Sequence, residues 1–247
     1  MMGRFQQVYC GPAPAPEALW SSWNLDPWLL GVLATAASAY LLSRKGRLGR
    51  EDASAVLGFG VLVVAFVSPL CALTSALFAA RVVHHALLIL VAAPLLALAW
   101  RTERGSGLGL AAAAVLHAII LWVWHAPAPY AWALSSDAGY WLMQLSLLAS
   151  AAVFWRAILA ASALGAAMAL VFTMAQMGLL GALIALAPEA VYAPHFVTTA
   201  AWGLTALEDQ QIAGLIMWAP MAGLYLLVAL ARLLPMLSEA PAPQPGR

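Results

Sequence analysis

Seven apolar runs, each near the length a helix needs to cross a hydrocarbon core, follow one another with only short polar or Pro/Gly-rich breaks between them. They cover residues 27–43, 53–72, 78–100, 108–126, 140–160, 165–187 and 210–231 of a 247-residue chain. Inside a bilayer every backbone polar group must be paired within the protein, so these runs predict an all-α, polytopic membrane bundle of about seven transmembrane helices. Little chain remains for a soluble catalytic domain. The composition agrees: 64% of residues are hydrophobic and 9% charged, where soluble domains carry about 25% charge. A net charge of +1, with no basic run interleaved with aromatics, excludes nucleic acid as a partner.

The runs divide the chain into an outer N-terminal arm over 1–26, a seven-helix membrane domain over 27–234 and a flexible cytoplasmic tail over 235–247. The arm lacks the apolar core of a cleaved signal peptide, and its Pro/Ala stretch reads as mobile. Of the eleven Lys and Arg residues, nine fall on one side of the alternating spans, among them Arg44, Lys45, Arg47, Arg50, Arg101, Arg104, Arg156 and Arg232, against Arg4 and Arg81 on the other. The positive-inside rule then puts the N-terminus outside and the C-terminus in the cytoplasm. Trp20, Trp23, Trp28, Trp122, Trp124, Trp132 and Trp141 cluster near the outer boundaries, as interfacial anchors do. Gly58, Gly60, Gly165, Gly178, Gly181 and Gly214 recur within spans and allow close helix contacts, while Pro94 and Pro220 permit kinks. Cys10 and Cys71 offer one possible disulfide without a CxxC motif; the plainer reading makes Cys10 incidental and Cys71 a small packing residue.

Polar groups within spans are costly and invite functional questions. His84 and His85 lie in the outer half of the third run, His125 ends the fourth and His195 belongs to the last outer loop. Neutral imidazole is a common ligand for copper, zinc and iron, so these four are candidate metal ligands if they converge. Each can equally satisfy itself against a carbonyl or neighbouring side chain. His117 sits eight residues before His125, roughly 12 Å deeper on the same helix, as a second, inner station. Arg81, Tyr140, Gln144, Asp209, Gln210 and Gln211 stand at depths where they can surround a site. Arg81 can also simply snorkel outward, and Glu208 with Asp209 can simply cap a helix. Met174 with Met177, and Met217 with Met221, share helix faces; thioethers favour Cu(I) but are also ordinary core filler.

The strings RVVHHALLILVAAPLLAL, LWVWHAPAPY, YWLMQLSLL and GLTALEDQQIAGLIMW together resemble the multi-span CtaG family of cytochrome c oxidase assembly factors, from about Trp20 to Leu234. The resemblance implies a multi-pass protein of the bacterial inner membrane, with oxidase catalytic subunits and the lipid bilayer as partners and copper as cargo. It aligns His85, His125 and the Asp209-Gln210-Gln211 string with family motifs. Many relatives carry histidine where this chain has Arg81, Tyr140 and Gln144, so up to three ligands are replaced. A non-enzymatic copper carrier is therefore expected, with Cu(I) held by His85, His125 and His195 and assisted by His84. The alternatives are a metal-free scaffold for oxidase subunits, a copper transporter using His117 and the methionine faces, and haem held between two histidines.

Overall fold

The computed structural model describes residues 9–44, 49–100 and 107–238, and no strand occurs among them. The basic residues Arg4, Lys45, Arg47, Arg101 and Arg104, and the tail from residue 239, lie outside the described residues. All seven apolar runs are helical. We number the helices α1 (Pro27–Ser43), α2 (Arg50–Phe66), α3 (Pro69–Ala76), α4 (Phe78–Ala99), α5 (Leu110–His125), α6 (Pro127–Ala133), α7 (Asp137–Ala160), α8 (Ala163–Ala185) and α9 (Ala206–Met236).

Against the expected seven or so spans, the described residues contain four helices, α4, α7, α8 and α9, each long and apolar enough to cross a membrane, and up to six if two bent pairs each count as one span. The second run breaks by 46° between α2 and α3, and the fourth by 78° between α5 and α6. Both breaks precede a proline at the first position of the next helix, Pro69 and Pro127, where a missing N–H costs nothing and the preceding residue is held extended. Helix α1 is shorter, at 17 residues. Further prolines stay within spans because the ladder loosens into a π-turn, at Leu87–Ala92 ahead of Pro94 and at Met217–Met221 around Pro220. Side-chain oxygens start the helices: Asp26 accepts from Trp28 N, Ser136 from Gly139 N, and Ser162 from Gly165 N. The last helix continues past the Met236 bound of its span as far as Ser238, taking in four residues of the segment expected to be a tail.

Helices α8 and α9 cross closely at two glycines. A Cβ on Gly214 would stand 2.4 Å from the Ala185 nitrogen and 2.6 Å from the Gly181 carbonyl oxygen, so the crossing admits no side chain there. Met177, Met217 and Met221 are buried in the same core, Met217 beside Gly181, as packing residues.

From Tyr9 onward the N-terminal arm, which its Pro/Ala stretch suggests is mobile, makes a series of contacts with the bundle. Cys10 and Cys71 form a disulfide, so neither cysteine is incidental. The Tyr9 hydroxyl donates to Asp26, Asn24 Nδ2 donates to the Phe66 carbonyl at 3.1 Å, and Trp202 Nε1 donates to the Pro14 carbonyl at 3.1 Å. The arm thus lies across one end of the bundle, with Trp20 and Trp28 left exposed. Trp124 and Trp155 depart from the anchoring pattern: both are buried and donate inward, to Ser146 Oγ at 2.8 Å and to the Ile89 carbonyl at 2.7 Å.

Candidate functional site

The end of the bundle beneath the arm gathers most of the polar residues singled out in the sequence. The first turn of α4 is fixed by Asp209 of α9, whose carboxylate accepts from Phe78 N at 2.6 Å and Ala79 N at 3.1 Å. An acid at a helix N-terminus answers both the unpaired N–H groups and the helix dipole. Asp209 therefore caps α4 rather than its own helix. Glu208 does cap its own helix, in a capping box with Thr205, as the simpler reading held. Gln210 pins the loop that follows α8: its Oε1 accepts from Val191 N at 2.8 Å and its Nε2 donates to the Ile184 and Glu189 carbonyls, both at 3.3 Å. Gln211 is half-buried.

From that anchored turn α4 carries Arg81, His84 and His85 inward. Arg81 does not snorkel; it is wholly buried. Its Nη2 donates to the Thr74 carbonyl at 3.2 Å, and its guanidinium carbon lies 5.3 Å from the centre of the Tyr140 ring. Tyr140 and Gln144 are buried on one face of α7, and the Tyr140 hydroxyl also meets the Cys10 sulfur at 3.3 Å. The disulfide is thus in contact with the polar cluster.

His84, His85 and His125 form a row, with ring centres 5.9 Å apart for the first pair and 5.7 Å for the second. All three are buried. His125 Nδ1 faces the Leu121 carbonyl at 2.8 Å. A carbonyl only accepts, so Nδ1 carries the proton and Nε2 keeps its lone pair, the arrangement that prepares an imidazole to ligate. His85 has no hydrogen-bond partner on either ring nitrogen. His84 packs edge-on against Phe66 and faces the Ala65 carbonyl without completing a hydrogen bond to it.

His195 does not join that row. Its Nε2 lies 2.7 Å from the Tyr130 hydroxyl, and its ring packs beside Phe78. Burial, reinforced by the Arg81 charge, lowers its pKa to about 3, so it is neutral at pH 7. Among the described residues no group of three or more His, Cys, Asp or Glu side chains is placed to hold a metal ion. The expected convergence of His85, His125 and His195 is accordingly not found; the sequence placed His195 in a loop without fixing where that loop docks. His117 stands apart: its Nδ1 pairs with Ser150 Oγ at 3.1 Å and its ring stacks on Phe154.

Two tyrosines not singled out along the chain complete the site. Tyr130, in the quoted HAPAPY string, holds His195, and Tyr192 donates to the His125 carbonyl at 2.7 Å while stacking on Phe78. They join α6, the outer loop and the ends of α4 and α5. Their signal was the Pro-Tyr and Val-Tyr context in otherwise apolar stretches, which resembles ordinary interfacial tyrosine.

Of the comparisons with known proteins, one finds a match, over the C-terminal part of the chain. No curated protein and no solved structure matches it. The model of the cytochrome c oxidase caa3 assembly factor family matches residues 110–239, just over half of the chain, and takes in His125, Tyr140, His195 and Asp209. The match starts later than the resemblance near Trp20, leaving Arg81, His84 and His85 outside it. On the strength of that match, the chain belongs to the cytochrome c oxidase caa3 assembly factor family.

Proposed function

We propose that this protein is a non-enzymatic, multi-pass inner-membrane factor that holds Cu(I) between His85 and His125 and presents it to a cytochrome c oxidase catalytic subunit. The observation that carries the reading is the His85–His125 pair: one imidazole with both nitrogens unpartnered, faced by another whose Nε2 lone pair is set by Leu121, at 5.7 Å between ring centres. Two metal–nitrogen bonds of about 2 Å, added to the ring radii, span roughly 6 Å. Two neutral nitrogens suffice for Cu(I), and a site with few ligands exchanges its ion readily. His84, next along the row, is the natural third position.

Arg81 favours a monovalent ion over Cu(II) or Zn(II), since its charge opposes a divalent cation twice as strongly. The Cys10–Cys71 disulfide supports the outward orientation, because disulfides persist on the oxidising side of a membrane. His117 and the methionines, packed into core contacts, offer a transporter little path. A haem would need a slot for its macrocycle between the two rings, and a Soret band in purified protein would favour it.

The test is complementation of a strain lacking the factor. His85→Ala and His125→Ala, at wild-type abundance, should each lose most copper-dependent oxidase activity, while His117→Ala retains it. Full activity in both outer variants would favour a metal-free scaffold.

A further inference from the structure

We infer that Arg81 is the receptor for a small monovalent anion, a halide or a carboxylate, enclosed at the outer end of the bundle. The inference stands independently of the copper reading. Arg81 is wholly buried, and among the described residues no carboxylate lies within ion-pair distance of it. A buried guanidinium without a counter-charge is among the costliest arrangements a protein can hold, and such groups are ordinarily paired. Asp209, which caps the helix that carries Arg81, spends both carboxylate oxygens on Phe78 N and Ala79 N. Of the guanidinium nitrogens only Nη2 has a protein acceptor; Nε and Nη1 have none.

The surroundings are those of an anion site. On α4, Arg81 and His85 are four residues apart on one helix face; on α7, Tyr140 and Gln144 share the same spacing. Contact of Arg81 with the Tyr140 ring brings the two faces together. Ser75 Oγ is buried without a partner, as are both amide atoms of Gln144, and the Tyr130 and Tyr140 hydroxyls lie beside the guanidinium. A permanent positive charge beside unpartnered polar groups, with no carboxylate in ion-pair reach among the described residues, selects a negative guest. Because Arg81 and Gln144 are both buried, the guest is small.

Detergent-purified full-length protein is melted while sodium chloride, and in a second series sodium formate, replaces sodium HEPES at constant ionic strength. HEPES carries a sulfonate too bulky for the enclosed position. One or both small anions should raise the melting temperature by several degrees with a saturating dependence. Chloride acting alone identifies a halide site; formate acting at lower concentration identifies a carboxylate site. Arg81→Gln should abolish the dependence, and Tyr140→Phe, which keeps the ring and removes one donor, should raise the half-saturating concentration about tenfold. Melting that is insensitive to both anions in wild type overturns the inference, as does an equal response in Arg81→Gln. If Arg81→Gln does not fold, Tyr140→Phe decides: an unchanged half-saturating concentration there is the contrary result.

Discussion

The position of the histidine row depends on a single cross-helix cap, and Asp209 is the residue to perturb. Its two oxygens take the first two N–H groups of α4 in a fully buried setting. Hydrogen bonds to a charged group contribute roughly 1.5–3 kcal/mol each, and the helix dipole adds up to about 2 kcal/mol in buried geometry. The desolvated carboxylate offsets part of this, so Asp209→Ala is expected to cost about 3–4 kcal/mol. Asp209→Asn, which keeps one acceptor but turns an amide N–H₂ toward the other N–H, should cost about half as much. At roughly 2–4 °C per kcal/mol for a chain of this size, the alanine variant should melt on the order of 10 °C lower in detergent. Glu208→Gln, which alters an exposed cap one residue away, should shift melting far less. Because α4 carries Arg81, His84 and His85, both Asp209 variants should also lower copper uptake. Melting of Asp209→Ala within a degree of wild type would refute the assignment of α4's cap, and equal losses for Ala and Asn would refute the charge-based part of it.

Three further outcomes follow from the packing and the titrating groups. Gly214→Ala places a Cβ against the backbone of α8 and should cost about 3 kcal/mol or more. Gly60→Ala meets nothing within 4 Å and should stabilise by up to about 1 kcal/mol through helix propensity, so thermal melting of the pair must show opposite signs. His195 titrates near 6.5 when unfolded and near 3 when folded, so the unfolded state takes up its proton first as pH falls. Stability present above pH 6.5 is therefore lost below it, by about 2 kcal/mol between pH 7 and 5. His195→Gln, compared with wild type in a melting series, should remove that much of the slope. The disulfide joins residues 61 apart, and reduction should release residues 9–26 from the bundle end: limited proteolysis should cut the arm in reducing buffer and spare it in oxidising buffer. An equal cutting rate in both would show that Tyr9, Asn24 and Trp202 hold the arm without it.

Hydropathy made the helices legible because the bilayer leaves so few alternatives. The breaks were not legible: the prolines singled out, Pro94 and Pro220, stay inside helices, while the bends of 46° and 78° fall at Pro69 and Pro127 and depend on what the second helix packs against. Gly181 and Gly214 read correctly as contact points because small residues have few other uses in a membrane helix. The site was harder, since its residues acquire meaning only by meeting. Arg81 reads either as a group beside the site or as an outward snorkel until Tyr140 and Thr74 are seen around it. Asp209 reads either as such a group or as a cap for its own helix, and nothing along the chain says that the N–H groups it takes belong to residues 78 and 79. His195 follows a loop whose course is set by Gln210, Tyr130 and Tyr192 together. Two cysteines 61 residues apart carry no pairing information of their own.

Whether the outer histidine pair holds copper is tested most directly by metal content, measured by mass spectrometry. Detergent-purified protein is loaded with Cu(I) beside a His85→Ala/His125→Ala variant of matched yield and folding, and both are freed of unbound ion. About one copper per chain in wild type, lost in the variant and retained in His117→Ala, is the predicted result. Copper absent from wild type, or equal in wild type and the double variant, would contradict it.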